Sequence, residues 1–470
     1  MKNSYQKVLV HGNFEILHTG HIRLFAFSKD IGEKLVVGLL TSELQDQEIQ
    51  RRLSQLNSSP FVDEIICFSD VEELIHAVKP DVLVKGREFV DQENVEEQIM
   101  SSYGGKIIFS SGDSNFVQSN FIPKILTNTN IVSNVIKSFC ERNKISTELL
   151  NVTIENFQKM KVLIVGDVII DEYIECSPTG LSQESGTLVA RPIWTKQYLG
   201  GAGIIAAHCA ALGASATLLT ILGEDGESAQ VVDKCRDFNV ELIAIKDRTH
   251  PTVLKQRFIN GKQMLFRLNR FRQDGITKEI RKEIRRRFEE SVGSFDAVIF
   301  ADFSYGVFDV DDVNSLVSLA RKQGAFVAAD SQTSSQIGNL SRFKGSNLIC
   351  PTEREARMEV RGQDGLIVLS QKLLEQVEAD YIFLKLGADG LLINGEELRT
   401  DHIPALNDNP VDVSGAGDSL LAAATLSFAS GANPYVSALL GNMSAALQIS
   451  RLGNTPITGS TLKEIVGQLN

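Results

Sequence analysis

The sequence predicts an α/β protein of two domains, each built around a mostly parallel sheet. The chain has 470 residues, which is too long for one ordinary hydrophobic core. Short apolar segments alternate with amphipathic ones, and strands that alternate with helices form parallel sheets covered on both faces. A polar, mostly helical segment over residues 131–158 separates two such series.

The composition is that of a globular protein and limits the classes of partner. Apolar residues make up 43% and charged residues 23% of the chain, and the net charge is −12. An acidic balance argues against nucleic acid or an anionic membrane as a general partner, and small anionic substrates remain open. The six cysteines are dispersed without a C-x-x-C pair, which favours free thiols in a reducing cytosol over a metal site or disulfides. The N-terminus MKNSYQK has no long apolar core, so the sequence predicts a cytoplasmic protein without a signal peptide.

The first series of elements predicts a domain over residues 1–130. The segments KVLV, KLVVGLL, DEIICF, DVLVKG and KIIFSS are typical of buried strands. The segments HIRLFAFSKDIG, VEELIHAVK and VEEQIMSSYGG are typical of helices or helix ends. We expect a linker over residues 131–150.

The second series predicts a domain over residues 151–470. It begins with a strand at KVLIVGDVIID and continues with strands at ATLLTILG, DAVIFADF, AFVAAD, NLICP and YIFLKLG. Polar and apolar residues alternate more loosely over 172–200 and 252–270. These two segments predict a small separate β layer.

The segment HGNFEILHTGH, residues 11–21, contains three of the seven histidines of the chain directly after an apolar strand. Gly12 allows a sharp turn, and the helix that follows presents backbone N–H groups with a favourable dipole for an anion. His18 and His21 are three residues apart, so both can face one point and donate to phosphate oxygens. The alternative is that these histidines only cap and pack the helix.

FEILHTGH resembles the H-x-G-H signature of the cytidylyltransferase-like nucleotidyltransferases, which have a Rossmann-like fold. FVDEIICF and HAVKPDVLVKGREF resemble the middle of the nucleotidyltransferase domain of bifunctional ADP-heptose synthases. The resemblance implies attack of a sugar 1-phosphate on the α-phosphorus of a nucleoside triphosphate. It also implies His18 and His21 as catalytic residues, and as nucleotide or phosphate contacts Gly12, Asn13, Phe14 and Lys85.

This domain departs from the family pattern at three places. Glu15 stands where the family has Asp, and of the late serine and threonine segment only Ser119 remains. The basic loop that normally follows the second strand is missing, and Arg51 and Arg52 either replace it or are exposed helix charges. A working transferase and a degenerate nucleotide-binding or structural domain therefore both remain open.

The segment DVSGAGD, residues 412–418, precedes the apolar helix SLLAAATLSFAS. Small residues before a helix expose several N–H groups toward one point, which suits a transferring phosphoryl group. Asp418 is then the natural general base for a substrate hydroxyl. The alternative is an ordinary helix start with a glycine-rich turn.

This part of the chain resembles the ribokinase-like, phosphofructokinase-B family sugar kinases, and most closely the heptose 7-phosphate kinase domain of ADP-heptose synthases. The motifs are GDVIIDEY, LGGAGIIAAHCAALGA, PTEREA, LKLGADGLLI and DVSGAGD, with PTVLKQRFINGKQMLFRLNR between them. The resemblance implies ATP as substrate, Mg²⁺ as cofactor, Asp418 as base, and Glu355 acting on the metal through water. Its implied nucleotide contacts are Thr352, Glu355, Gly387, Ser414, Gly415, Ala416, Gly417 and Asn442. Its implied sugar and phosphate contacts are Asp167, Asp171, Gly200, Gly201, Lys255 and Arg257.

The kinase motifs also carry substitutions near the phosphoryl group. The family's sugar-facing asparagines correspond to Ile204 and His208, and its two lysines correspond to Tyr305 and Gln332, the latter after Ser331. Three hypotheses follow: a bifunctional enzyme of nucleotide-activated sugar synthesis, a sugar kinase with a degenerate first domain, and a non-enzymatic sensor or scaffold. The heptose synthases carry the kinase first, whereas this chain carries it second. The resemblance also implies small-molecule partners and a homodimer through the kinase lid.

Overall fold

The structure, a computed structural model, divides the chain into two compact units, Met1–Phe121 and Ile122–Asn470. It describes residues 5–14, 19–42, 44–57, 59, 61–86, 95–110, 130–182, 186–261, 263–272, 275–308, 310–333, 338–407 and 410–469.

Strands and helices alternate in the first unit, as the sequence predicts. Its described elements are β1 (Tyr5–Gly12), α1 (Thr19–Ile31), β2 (Gly32–Leu40), α2 (Asp46–Asn57), β3 (Glu64–Phe68), α3 (Val71–Val78), β4 (Val82–Gly86), α4 (Val95–Ser101) and β5 (Lys106–Ser110). The five described strands form a parallel sheet in the order β3-β2-β1-β4-β5. The order reverses between β1 and β4, and ligands of open α/β sheets bind at the carboxyl ends of the strands at such a point.

Burial explains why β1 is the central strand of this sheet. Val8, Leu9 and Val10 are each no more than 1% exposed, although successive side chains point to opposite faces. An apolar run without alternation is therefore covered on both sides, as a parallel strand between two helix layers must be.

The second unit contains the remaining elements. Its helices are α5 (Asn130–Arg142), α6 (Thr147–Asn156), α7 (Ala202–Ala211), α8 (Gly226–Asp237), α9 (Lys278–Ser291), α10 (Val310–Lys322), α11 (Glu353–Val360), α12 (Leu366–Val377), α13 (Ala416–Ala429), α14 (Pro434–Gln448) and α15 (Gly459–Gly467). Its strands are β6 (Lys161–Gly166), β7 (Val168–Leu181), β8 (Leu188–Gly201), β9 (Ser215–Leu222), β10 (Glu241–Lys246), β11 (Val253–Asn260), β12 (Gln263–Arg270), β13 (Ala297–Asp302), β14 (Phe326–Ser331), β15 (Leu348–Ile349), β16 (Tyr381–Lys385), β17 (Leu391–Gly395) and β18 (Asp401–Ile403).

Two sheets organise these strands. Nine described strands form a main sheet in the order β10-β9-β6-β13-β14-β15-β16-β17-β18, and four form a smaller sheet in the order β12-β11-β7-β8. The smaller sheet, called the lid here, confirms the β layer predicted over 172–200 and 252–270. The predicted single strand KVLIVGDVIID is wrong in one respect: it is divided at Asp167 between β6 of the main sheet and β7 of the lid.

The predicted linker over 131–150 belongs to the second unit. Helices α5 and α6 occupy most of this segment, and Phe139 and Leu150 are fully buried in the same core cluster as the main sheet. Arg142 donates to both carboxylate oxygens of Asp401 at 2.6 and 2.8 Å. The sequence suggested a connection because its apolar residues occur in short groups separated by polar ones, a pattern that buries one helix face and leaves the other polar.

Two further properties bear on the sequence predictions. All six cysteines are free thiols, and four of them are buried. Among the described residues, no helix has both the length and the apolar character needed to cross a membrane.

Candidate active sites

The start of α13 forms a cradle of backbone N–H groups in the second unit. Gly415 has φ +77°, a left-handed conformation that favours glycine, and it turns the chain into the helix. The carbonyl of Gly415 accepts the first helical hydrogen bond from Ser419, and the amides of residues 415–418 have no acceptor among the described residues. These N–H groups and the helix dipole favour an anion at this point.

Asp418 lies in the first turn of α13 and is only 6% exposed. The side-chain amide of Gln332 donates to its Oδ1 at 2.9 Å. Burial raises the pKa of Asp418 to about 6, against the opposing effect of Lys385 and, more weakly, Lys255. The carboxylate is therefore ionised at neutral pH and more basic than an exposed aspartate, as a general base should be.

A buried ion pair lies beneath the cradle and was not identified from the sequence. Lys385, at the end of β16, contacts Asp330 on β14 with 2.7 Å between Nζ and Oδ2. A Cβ atom on Gly417 would lie 3.0 Å from Nζ of Lys385, so the ammonium packs directly against the cradle. Only the position of Lys385 at the end of a predicted strand could have pointed to it.

Glu355 and Thr352 form the start of α11. The Thr352 hydroxyl accepts from the amide of Glu355, and Glu355 accepts from the amide of Thr352 at 2.7 Å, which is a capping box. The other oxygen of Glu355 accepts from the amide of Thr333 at 2.8 Å. The carboxylate that the resemblance assigns to a metal therefore also fixes two chain segments. Thr352, Gly387 and Lys385 line one cavity of about 790 Å³.

Two lid residues predicted as substrate contacts bind one another. Arg257 on β11 forms an ion pair with Oδ1 of Asp171 on β7, and its guanidinium lies over the ring of Tyr173 at 5.1 Å. Asn454 donates to Oδ2 of Asp171 at 3.2 Å. A Cβ atom on Gly200 would lie 2.2 Å from that oxygen, so glycine is required there for the carboxylate to keep its position.

Lys255 lies near the position where the family's lysine is replaced by Tyr305. Its ammonium is 5.1 Å from the centre of the Tyr305 ring and 5.6 Å from that of Phe303. Lys255 also acts on the pKa of Asp418, so β11 supplies a cation from the lid side of the site.

Asp167, predicted as a sugar contact, binds the backbone of a neighbouring loop. It is 3% exposed, and its carboxylate accepts backbone N–H groups of Phe303, Tyr305 and Val307 at 3.0 to 3.1 Å. These bonds hold the loop after β13.

The substituted residues of the glycine-rich helix and the predicted Asn442 are also buried. Ile204 is fully buried in the core cluster, as its apolar side chain requires. His208 is fully buried, its Nδ1 accepts from the amide of Ile457 at 3.2 Å, and burial lowers its pKa to about 3. Asn442 is 6% exposed and donates to the carbonyl of Pro404 at 2.9 Å, so it holds the loop after β18. Its nucleotide contact stays a prediction.

The first unit joins His11, Lys85 and Glu96 at the carboxyl ends of β1 and β4. Glu96 Oε1 lies 3.1 Å from Nε2 of His11 and 2.8 Å from Nζ of Lys85. The hydrogen bond from His11, helped by Lys85 and opposed by burial, lowers the pKa of Glu96 to about 2. Lys85, the predicted phosphate contact, therefore already has an anionic partner, and Glu96 was missed because it lies outside the sequence motifs.

The predicted residues after β1 contribute mainly through the backbone. The Asn13 carbonyl accepts from Nη1 of Arg52 at 2.7 Å, and Arg52 is 5% exposed, so it is not an exposed helix charge. The Phe14 ring is 4% exposed and packs 5.1 Å from the ring of His21, which makes it part of the core. Gly12 is the last residue of β1. The predicted His18, Glu15 and Ser119 lie outside the described residues.

Two family models match this chain. Residues 159–458 match the family model described as pfkB family carbohydrate kinase. Residues 9–151 match the family model described as cytidylyltransferase-like.

Curated relatives share the name "Bifunctional protein HldE". The protein of Koribacter versatilis is 27% identical over 314 residues, covering 66% of this chain and 64% of that protein. The protein of Desulfatibacillum aliphaticivorans is 29% identical over 316 residues, covering 65% of this chain and 63% of that protein. The matched region thus spans just under two thirds of these relatives.

Solved structures establish the fold of the second unit. Arabidopsis thaliana ribokinase complexed with ribose and ATP gives a TM-score of 0.53 at 16% identity, covering 65% of this chain and 98% of that chain. Phosphofructokinase-2 of Escherichia coli in complex with potassium gives 0.54 at 19% identity, covering 66% of this chain and 99% of that chain.

Proposed function

Since the chain belongs to the pfkB family of carbohydrate kinases, we propose that its second unit phosphorylates a sugar phosphate with ATP. We further propose that its first unit transfers a nucleotidyl group to a sugar 1-phosphate. Together the two activities would make a nucleotide-activated sugar of the ADP-heptose type.

The observation that carries the kinase half is the position of Asp418 at the N–H cradle. A carboxylate with a pKa of about 6 lies in the same helical turn as amides that have no acceptor among the described residues. A sugar hydroxyl at this point would give its proton to Asp418 as its oxygen forms a bond to the γ-phosphorus. The bond between that phosphorus and the bridging oxygen breaks, ADP leaves, and the cradle stabilises the charge on the transferring group.

Glu355 is suited to hold Mg²⁺, the metal that such a reaction uses, through a bound water. Each oxygen of this carboxylate accepts one backbone N–H group, at 2.7 and 2.8 Å, and a carboxylate oxygen has a second lone pair for a metal-bound water. Mg²⁺ keeps most of its waters and would neutralise the nucleotide phosphates when it is bound.

Charge on the lid favours a sugar that already carries a phosphate. Lys255 and Arg257 lie on one strand of the lid, and the partner of Arg257, Asp171, can accept from sugar hydroxyls. A neutral sugar would need only the acid. Arg257 is already paired with Asp171, so Lys255, which has no carboxylate partner among the described residues, is the cation that remains for the phosphate of an anionic substrate.

The nucleotidyltransferase half is supported by the family match over residues 9–151 and by the position of His21 in α1. In this step an oxygen of the sugar 1-phosphate would attack the α-phosphorus of the nucleoside triphosphate, and pyrophosphate would leave. His18 and His21 would donate to the phosphate oxygens.

One observation favours a second candidate, a kinase whose first unit only binds nucleotide. Lys85 is ion-paired with Glu96 at 2.8 Å, so the phosphate-binding cation of the first unit is already neutralised. In this case the kinase would act alone.

The lid also has an apolar face that suits the homodimer implied by the resemblance. Ile193 on β8 is 59% exposed, and Phe266 and Leu268 on β12 are each 53% exposed. We include self-association through the lid in the proposal.

Phosphorus NMR with Mg-ATP and D-glycero-D-manno-heptose 7-phosphate tests both halves. The wild-type protein should release ADP and pyrophosphate. Asp418→Asn should abolish ADP release, and His18→Ala should abolish pyrophosphate release alone. Asp233→Asn and His76→Ala, at exposed surface ion pairs, are the matched controls and should change neither product.

Each other pattern of products selects a different hypothesis. ADP without pyrophosphate supports the kinase whose first unit only binds nucleotide. Neither product with this sugar, nor with a panel of other sugar phosphates, supports the non-enzymatic sensor or scaffold and refutes the proposal.

A further inference from the structure

We propose that Lys385 contacts the transferring phosphoryl group and supplies the cationic charge that is absent at positions 305 and 332. This inference rests on the kinase activity proposed above. It is carried by the ion pair beneath the cradle and by the cavity that opens beside it.

The backbone brings the ammonium of Lys385 to the cradle. Lys385 is the last residue of β16, and Gly417 lies in the first turn of α13. The space that a Cβ atom on Gly417 would occupy is 3.0 Å from Nζ. The missing side chain at 417 therefore lets the ammonium approach the helix start where an anion is expected.

The ammonium keeps hydrogen-bonding capacity for a ligand. A lysine ammonium has three donors, and one of them bonds to Oδ2 of Asp330 at 2.7 Å. No other acceptor for Nζ occurs among the described residues, and the side chain is 12% exposed. Two donors thus remain at a site that is accessible from one side.

A purely structural role explains this pair less well. Asp330 is 2% exposed, and its Oδ1 has no hydrogen-bond partner among the described residues. A buried ion pair that leaves a carboxylate oxygen unsatisfied contributes little net stability, because desolvation offsets the attraction. The pair instead fixes the ammonium at the cradle while leaving it incompletely neutralised by hydrogen bonds.

The neighbouring cavity suits a nucleotide polyphosphate. Lys385 lines the cavity of about 790 Å³ together with Arg354 and Arg357 of α11. Arg357 is paired with Glu353 at 2.7 Å, whereas Arg354 is exposed and has no carboxylate partner among the described residues. A basic wall on a chain of net charge −12 favours an anion, and because it is continuous with Lys385 it could bind the phosphates of ATP.

Lys255 does not make Lys385 redundant. Lys255 lies over two aromatic rings on the lid side, and Lys385 lies on the main sheet below the helix start. The two cations thus approach Asp418 from different layers of the fold, one with the sugar and one with the nucleotide.

The test compares Lys385→Met with the double variant Lys385→Met/Asp330→Asn and with a control, Lys344→Met. Lys344 forms an exposed surface pair with Glu378, so its variant should keep kcat within about twofold of wild type. Turnover is followed as ADP release, nucleotide binding by calorimetry with Mg-ADP, and folding by thermal unfolding. The double variant removes the uncompensated buried carboxylate that the single variant leaves.

We expect Lys385→Met to lower kcat by at least about 100-fold, the effect of removing one preorganised donor from a transition state. The double variant should recover the melting temperature without recovering kcat, and both variants should bind Mg-ADP more weakly. A double variant that recovers kcat together with the melting temperature would mean a structural role and would overturn the inference. A single variant within about threefold of the wild-type kcat would overturn it as well.

Failure of the kinase proposal gives a different result. In that case the wild-type protein releases no ADP with any sugar phosphate. The affinity for Mg-ADP alone then tests whether Lys385 binds the nucleotide. Unchanged Mg-ADP affinity in Lys385→Met then refutes the inference, and an affinity at least about tenfold weaker, with the control unchanged, supports it as a nucleotide site.

Discussion

The raised pKa of Asp418 predicts how kinase turnover depends on pH. Burial brings this pKa to about 6, against an ordinary value of 3.8, and only the ionised carboxylate can accept the proton of the sugar hydroxyl. At pH 5 about 9% of Asp418 would be ionised, compared with about 94% at the ordinary pKa, as the two values require. We therefore expect kcat/KM to fall with a midpoint near pH 6, about tenfold for each pH unit below it.

The substitution Gln332→Lys tests whether the titration of Asp418 causes this midpoint. Phosphate groups of the substrates titrate near the same pH, so the wild-type profile alone could come from either source. The Gln332 amide lies 2.9 Å from Oδ1 of Asp418, and a lysine there would place a cation beside the carboxylate. An adjacent cation lowers a carboxyl pKa by about 1 to 3 units, so the midpoint should move to between about pH 3 and pH 5.

The assay is the initial rate of ADP release from about pH 3 to about pH 8 at constant ionic strength, which covers the expected midpoints of both proteins. Gln98→Lys adds the same charge on the exposed surface of the other unit, and its profile should match wild type. A wild-type midpoint near pH 4 would refute the environment assigned to Asp418. A midpoint that Gln332→Lys leaves unchanged in a folded protein would refute its assignment to this residue.

Three further predictions concern other parts of the structure. Gly200→Ala places a Cβ atom 2.2 Å from Oδ2 of Asp171, so KM for the sugar should rise at least about tenfold in steady-state kinetics while KM for ATP stays unchanged. Glu96→Gln should destabilise β1 and β4 by about 3 kcal/mol at pH 7, measured by hydrogen exchange, because the pKa of Glu96 is lowered from 4.5 to about 2. This contribution is present above pH 4.5 and is lost as the pH falls toward 2. Phe266→Asp should shift sedimentation equilibrium from dimer to monomer, because the ring is 53% exposed and a carboxylate there would have to be buried in the dimer.

Each of these three predictions has an outcome that contradicts it. Equal increases in both KM values would indicate general distortion by Gly200→Ala. Unchanged exchange at pH 7 would mean that the network of Glu96 contributes nothing to stability. A wild-type protein that is monomeric at all concentrations would remove the proposed role of the lid face.

Local patterns were sufficient for most elements of the fold. The apolar segments and the helical segments of the first unit are correct because each has a length and periodicity that only one element satisfies. The prediction of one strand over KVLIVGDVIID was wrong because apolar residues stand on both sides of Asp167. No local pattern reveals that the Asp167 carboxylate accepts hydrogen bonds from backbone amides more than 130 residues away. The same reasoning applies to α5 and α6, which pack against β18 and α15, elements that are distant in sequence.

The site residues also fall into two groups, those that a local motif predicts and those that depend on a partner distant in sequence. Asp418 and the cradle follow from one continuous motif, whereas Lys385 depends on Asp330, 55 residues earlier. Lysine at a strand end is usually a surface charge, so its burial could not be predicted. Glu96 and Arg52 are similar cases, because each looks like an ordinary helix charge until the fold brings a partner to it.

The join between β6 and β7 determines how the lid can move. One residue, Asp167, separates a strand of the main sheet from a strand of the lid, and the return path passes from β8 directly into α7 at Gly201. These are two of the four connections of the lid, and the other two run from β10 into β11 and from β12 to α9. Because α7 begins directly where β8 ends, a tilt of the lid at this connection would turn the first residues of that buried helix, and closure over a sugar would therefore reach the core of the unit.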